Sequence, residues 1–186
     1  MTIYLIRHGK TEANEKHLYC GKTDLPLTEE GKMQLKKRII PQPETVRYIT
    51  SGMRRANETL EILFGEVPFT VAPGLREMDF GSFEMRSYDD LKDDPAYIRW
   101  ISGDNEANVT PGGESGNQMR SRAMKAFREI ADEGLDSIIV THGGVISVVM
   151  QQLFPEENKN RYQWQSANGS GYKLIFSNGE WIYEGL

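Results

Sequence analysis

Arg7-His8-Gly9 follows directly on the apolar run Ile3-Tyr4-Leu5-Ile6 and is completed by Thr11 and Asn14. An imidazole beside a guanidinium suits attack on a phosphate, because the ring nitrogen can act as nucleophile while the forked cation receives the charge of the phosphoryl oxygens. The design recurs late in the chain, where Ser137-Ile138-Ile139-Val140-Thr141 delivers His142 and then Gly143-Gly144. A single histidine at such a place is ordinarily a hydrogen-bonded core or loop residue. Here two of the three histidines stand at the exits of strand-like runs.

In an open α/β sheet, ligands bind outside the carboxyl ends of the parallel strands, so residues leaving different strands at that edge converge on one crevice. The pattern therefore predicts that His8 and His142 face each other. Around them the chain alternates strand and helix. Thr28-Glu29-Glu30-Gly31 opens a helix that should run to about Ile40, with Thr28 as cap, before Pro41 and Pro43 stop it. Val46 to Thr50 reads as a strand, Ser51 as the cap of the next helix, and Met53 to Phe64 as that helix, with Ala56, Leu60 and Leu63 at helical spacing. Residues 84–115 break the rhythm with acids, Asp94-Pro95, Trp100 and the Pro111-Gly112-Gly113 turn, and read as an excursion with one or two helices of the kind that forms lids. Helix returns from about Asn117 to Asp132 and again from Val145 to Phe154. The alternating runs 172–176 and 181–183 suggest a terminal hairpin around Asn178-Gly179.

At 186 residues with 38% hydrophobic content, one domain with a sizeable core is expected. The net charge of −5 argues against a general nucleic-acid or membrane-surface binder, so any anion site must be local. No secretory leader pattern or bilayer-length apolar run is present, and a lone cysteine, Cys20, suits a reducing compartment; the cytoplasm is the expectation. The sequence leaves a homodimer open. It contains no H-E-x-x-H, paired-cysteine, P-loop or G-x-G-x-x-G signature, so neither metal nor cofactor is implied. Gly169-Ser170-Gly171 lacks the nucleophile-elbow pattern and reads as a turn.

Four ordered blocks, RHGKTEAN at 7–14, SGMRRANET at 51–59, LREMDFGSFE at 75–84 and VTHGG at 140–144, resemble the histidine phosphatase superfamily, the phosphoglycerate mutase-like branch. The resemblance covers nearly the whole chain. It implies an α/β fold, a three-layer αβα sandwich on a mostly parallel sheet, forming a single domain over 1–186 with a helical lid-like insertion at about 84–115. It also implies a metal-independent phosphomonoester hydrolase working on a small phosphorylated metabolite through a phosphohistidine. His8 matches the nucleophile, Arg7, Arg55 and His142 match the groups that meet the phosphoryl charge, and Glu77 matches the general acid, then base. Arg55 is preferred to Arg54, which reads as a solvated helix residue, because it precedes Ala56 and stands four before Thr59. The bland alternative for Glu77 is a surface salt bridge with Arg76.

Asn14, Cys20, Gly21 and Gly143 match positions that contact phosphate or the rest of the substrate. Cys20 stands where a small hydroxyl residue is common, so simple packing competes with contact. Thr11 could equally brace its own loop through its hydroxyl or touch substrate, and His17 reads as exposed loop. Tyr97 and Trp100 are expected to pack the insertion in preference to stacking on substrate.

The chain ends soon after its last strand, which favours hydrolysis over phosphoglycerate mutase-type transfer. A noncatalytic phosphate-binding module would need neither His8 nor Glu77. A finer resemblance, in residues 80–91 and 18–21, is to the α-ribazole-5′-phosphate phosphatases of cobalamin nucleotide-loop assembly, although Phe83 and Met85 stand where those commonly have Trp and Gly.

Overall fold

The computed structural model describes residues 1–41, 43–104 and 106–186; Gln42, between the two helix-stopping prolines, and Asn105, inside the expected insertion, lie outside the described residues. A six-stranded sheet runs through the molecule. Its strands are β1 (Thr2–Arg7), β2 (Arg47–Thr50), β3 (Phe69–Val71), β4 (Ser137–Thr141), β5 (Gly171–Ser177) and β6 (Glu180–Gly185), in the order β3-β2-β4-β1-β5-β6. The β3-β2-β4-β1 half is parallel, and β5 and β6 add antiparallel at the β1 side.

The central strands are apolar throughout because both faces are covered. On β1, Ile3 and Leu5 join Ile139 in a core closed by Met119, Ala123 and Phe127 of helix α6 (Gly116–Asp132) and Val145 and Val149 of α7 (Gly143–Leu153). Tyr4 and Ile6 point to the opposite face with Ile138 and Val140, against Ala56 and Leu60 of α3 (Arg54–Phe64). Helix α2 (Glu29–Lys36) packs beside α3. The architecture is the αβα sandwich on a mostly parallel sheet that the family resemblance implies. A further short helix, α1 (Glu12–Glu15), follows the first histidine.

Several local expectations need correction. Helix α2 is capped by Thr28, whose hydroxyl accepts from Gly31 N at 3.1 Å, but it stops at Lys36, short of Ile40. Its last amides tighten to the third residue back (Arg38 N to Leu35 O, 2.9 Å), and the residue before a proline disfavours helical geometry. Ser51 does not cap α3. Met53 holds that place without a side-chain bond, and the Ser51 hydroxyl accepts from Met53 N at 3.4 Å and lies 2.8 Å from His142 Nε2. As expected, helix α6 starts within a residue of Asn117, at Gly116 under a Ser115–Gln118 capping box, and α7 carries Gly143 and Gly144 at its start. The short edge strand β3 is an addition, its three residues being too few to show a period in the sequence. The terminal hairpin forms as expected, with Asn178 and Gly179 both at positive φ (54° and 85°) in a primed turn.

The segment 84–115 holds two short helices, α4 (Tyr88–Leu91) and α5 (Pro95–Ile101). It has its own small core of Phe83, Leu91 and Tyr97, with Tyr19, Phe80 and Trp100 against it. Tyr97 is buried in this cluster, its hydroxyl 2.6 Å from that of Tyr19. Met85 takes φ 58°, and its N–H donates to Tyr19 O at 2.7 Å. Among the described residues, no helix is long and apolar enough to cross a membrane.

Because this aromatic core is a satellite of the main one, truncating its centre should loosen the insertion first. Phe83→Ala, fully buried, is expected to cost about 3–5 kcal/mol locally. Hydrogen exchange should report faster amides in 85–102 while β1 and β4 stay protected; equal loss in both would show that insertion and sheet open as one unit.

Candidate active site

Strand register assembles the site. Arg7 pairs with Thr141 in the parallel β1–β4 ladder, so the residues that follow, His8 and His142, leave the sheet side by side. His8 N donates to Thr141 O at 2.9 Å, and Ser51 N, leaving β2 at the same edge, donates to Val140 O at 3.2 Å. The two imidazoles lie edge to face with centroids 5.2 Å apart.

His8 is nearly buried, with Nδ1 2.7 Å from the Gly9 carbonyl. A carbonyl only accepts, so the network assigns the proton to Nδ1 and leaves the lone pair on Nε2. Burial is the main cause that holds this imidazole well below its ordinary value of 6.5, with the Arg55 charge next and Arg7 adding to it, against the raising effect of the Gly9 bond. His142 is fully buried and likewise held well below 6.5, by burial and then by Arg55 and His8. Arg55 Nε donates to its Nδ1 at 3.3 Å, so its Nε2 carries the proton and donates to Ser51 Oγ at 2.8 Å.

Arg55 is 1% exposed on the first turn of α3, whereas Arg54 is exposed and pairs with Glu58. Its two terminal nitrogens donate to the carbonyls of Thr23 and Gly21, each at 2.8 Å. One N–H on each remains to face a ligand, since a guanidinium carries five. Arg7 donates to Ser166 O at 2.7 Å and packs against Gly143, while its Nε is buried with no hydrogen-bond partner among the described residues. Burial lowers its pKa from the ordinary value, opposed by the charge of Glu77.

Glu77 makes no ion pair with Arg76, whose guanidinium bonds Ser51 O at 3.3 Å. Its carboxylate instead accepts from Gly144 N in the first turn of α7 and from Met78 N, each at 2.9 Å. A Cβ on Gly144 would stand 2.3 Å from Glu77 Oε1, so only glycine admits this approach. A cleft of about 310 Å³ opens beside Glu77, lined by Lys22, Met53, Arg76, Asp79 and Arg122 among others.

The structure thus brings together His8, Arg7, Arg55, His142, Glu77 and Gly143. The remaining candidates are engaged locally. Asn14 Oδ1 accepts from Thr11 N and Oγ1, both at 3.0 Å, and from Asn168 at 3.2 Å, so Thr11 braces the loop. Cys20 donates to Thr23 O at 3.5 Å, and burial raises its pKa. Gly21 gives its N–H to Glu84 and its carbonyl to Arg55. His17 is exposed. Sequence reasoning passed over Ser51, Glu84, Arg122, Ser166 and Asn168. Arg122, paired with Glu114, donates to the carbonyls of Gly74, Arg76 and Glu77 and so braces the loop carrying Glu77. Ser51 and Glu84 stand inside the recognisable blocks and could have been questioned. Ser166 and Asn168 lie in a loop without periodicity and carried no signal.

Comparison with known proteins matches this arrangement. The family model of the Histidine phosphatase superfamily (branch 1) covers residues 3–186. An adenosylcobalamin/alpha-ribazole phosphatase of Salmonella typhimurium is 34% identical, over 82% of this chain and 79% of that protein. Among solved structures, the alpha-ribazole phosphatase of Shigella flexneri superposes with a TM-score of 0.85 at 25% identity, covering 100% of this chain and 96% of the other. A phosphoglycerate mutase of Thermus thermophilus gives 0.74 at 28% identity, covering 100% and 98%. With one family matched from the first strand to the last residue, and two strand-borne histidines set among arginines at the sheet edge, the chain belongs to the histidine phosphatase superfamily, branch 1, and is a phosphomonoesterase of that class.

Proposed function

We propose that the enzyme hydrolyses α-ribazole 5′-phosphate, or a closely similar nucleoside-type phosphomonoester, through a phosphohistidine on His8. The observation that carries the mechanism is the His8 ring itself, with Nδ1 tied to Gly9 O, its pKa depressed and Nε2 left as a lone pair beside two guanidiniums. Nε2 attacks phosphorus as the ester P–O bond breaks, and the leaving alkoxide takes a proton from Glu77. Water then attacks the phosphohistidine, gives its proton to Glu77 and releases inorganic phosphate and free imidazole. Arg7 and Arg55 meet the charge on the equatorial oxygens; the buried Arg7 Nε is a donor that such an oxygen would satisfy. His142 supports the cluster by accepting from Arg55, and Asn14 and Gly143 border the phosphate. The insertion 84–115 is the proposed lid, supported by its bonds to the loop beside Arg55. The substrate assignment rests on the similarity to α-ribazole phosphatases. Cytoplasmic work on a small diffusible ester suits the lone cysteine and the acidic balance.

A mutase reading is favoured by one observation, the Thermus thermophilus structure, and substrate profiling separates it. The kcat/KM for α-ribazole 5′-phosphate should exceed that for 3-phosphoglycerate, sugar phosphates and an aryl phosphate by about a hundredfold, roughly 2.7 kcal/mol of discrimination, and His8→Ala should lose at least about 10³-fold on all of them. A flat profile would remove the substrate assignment, and activity surviving in His8→Ala would remove the phosphohistidine.

If Glu77 protonates the leaving group, Glu77→Gln should lower turnover of an alkyl phosphate by about 10²–10⁴-fold. It should slow an aryl phosphate with an acidic leaving group far less. Equal losses on both would assign Glu77 another role.

The two depressed imidazoles also set a pH dependence. Unfolded chain takes a proton on each near pH 6.5, which the folded site resists, so stability is full above that value and declines as pH falls toward the folded pKa, by about 1.4 kcal/mol per unit per histidine. Urea unfolding at pH 7.5 and 5.5 should show the loss, and His142→Gln should narrow it by about 1.4 kcal/mol. An unchanged difference would show that His142 accepts protons in the folded state.

A further inference from the structure

Glu84 closes the small helical turn Gly81–Phe83 at the root of the insertion, and its carboxylate accepts from five donor groups, one of which, Gly21 N, reaches both of its oxygens. Four come from the loop after Cys20: Gly21 N at 2.9 Å, Lys22 N at 3.0 Å, Thr23 N at 3.1 Å and Thr23 Oγ1 at 2.7 Å. The fifth is Phe80 N at 3.0 Å. Lys22 does not pair with this carboxylate through its side chain, which reaches Asp79 at 3.3 Å. Two of the amides on Glu84 belong to the residues whose carbonyls hold Arg55: Gly21 and Thr23 each give an N–H to Glu84 and present an oxygen to a terminal nitrogen of the guanidinium at 2.8 Å.

We infer that Glu84 is a positioning residue for phosphate binding, gathering the 21–23 loop around its carboxylate so that the loop carbonyls aim Arg55 at the phosphoryl oxygens. The inference rests on Arg55 being a phosphate donor. A guanidinium on a flexible stem loses much of its reach to rotamer freedom, and two carbonyl stops plus His142 remove that freedom before the ligand arrives. Glu84 is itself the first residue of the insertion, so lid position and Arg55 direction share one anchor. A direct electrostatic role would have the opposite sign, since a carboxylate near the site repels phosphate.

That difference in sign makes the test. Glu84→Gln is isosteric, keeps one acceptor oxygen and turns an amide group toward Thr23. Calorimetric titration with inorganic phosphate should show binding weakened about tenfold, as expected for the loss of charge-assisted bonds. Arg55→Met should weaken it at least as much, and Glu84→Gln added to Arg55→Met should change affinity less than twofold, because the effect passes through Arg55. Wild-type affinity in Glu84→Gln, tighter binding, or losses that multiply in the double variant would each overturn the inference. Should Glu84→Gln fail to fold in a thermal melt, Thr23→Val removes only the hydroxyl bond; a roughly threefold weakening supports the clamp and no change overturns it. Turnover of an aryl phosphate is read separately: a wild type that binds phosphate through Arg55 but does not hydrolyse the ester would sink the hydrolase mechanism and leave the clamp standing.

Discussion

The rest of the structure answers to one constraint, the burial of positive charge beside two imidazoles that must stay neutral. Arg55 is almost wholly inside the protein and, among the described residues, its hydrogen bonds go to two carbonyls and an imidazole, with no carboxylate. A buried guanidinium paired with a carboxylate would be of little use in the proposed mechanism, because the carboxylate would occupy the place assigned there to a phosphate. Carbonyl oxygens satisfy the N–H groups while leaving much of the charge uncompensated. Together with burial, the resulting positive field helps to keep His8 and His142 unprotonated, the state that the proposed role of His8 as nucleophile needs.

That choice of partner explains why so many loops converge on one sheet edge. Each carbonyl must be brought in by backbone that is itself held. Ser166 reaches Arg7 from the loop before β5, where Asn168 donates to His8 O at 3.0 Å and Gly169 N to Arg7 O at 3.0 Å. The loop bearing Glu77 is drawn down by Arg122, and Thr141 Oγ1 donates to Leu75 O at 2.7 Å. Carboxylates are present, but they stand one layer back: Glu114 on Arg122, and Glu84 on the loop that restrains Arg55. Glu77 is the exception. It approaches the cluster from the start of α7, where the Gly144 amide can hold it.

The insertion follows the same logic at longer range. Its aromatic core gives a short excursion of 84–115 enough apolar burial to hold two helices of seven residues or fewer, lengths that are marginal alone. Its backbone bonds at Tyr19 and Met85 and its carboxylate at Glu84 set it against the loop beside Arg55. Met85 holds a left-handed conformation there, which costs an L-residue about 1–2 kcal/mol and is kept because both its neighbours are fixed.

Much of this was legible in the chain. Two apolar runs, each leading into a histidine, predicted two buried parallel strands, and the rule that strand ends share a crevice placed His8 and His142 together. Thr28, the apolar stripe of α3 and the Asn178-Gly179 turn are likewise local signals, because caps, periodicity and positive φ depend on near neighbours. The choice of Arg55 over Arg54 came from motif register, and burial separates the two in the fold. What the sequence could not determine is what each polar group touches. That the Ser51 hydroxyl meets His142, that Gly21 is held between Glu84 and Arg55, and that Ser166 and Asn168 belong to the site at all are matters of contact between segments up to 160 residues apart. Hydrogen bonds of that kind follow no period in the chain and exist only once the sheet has set its strands in register.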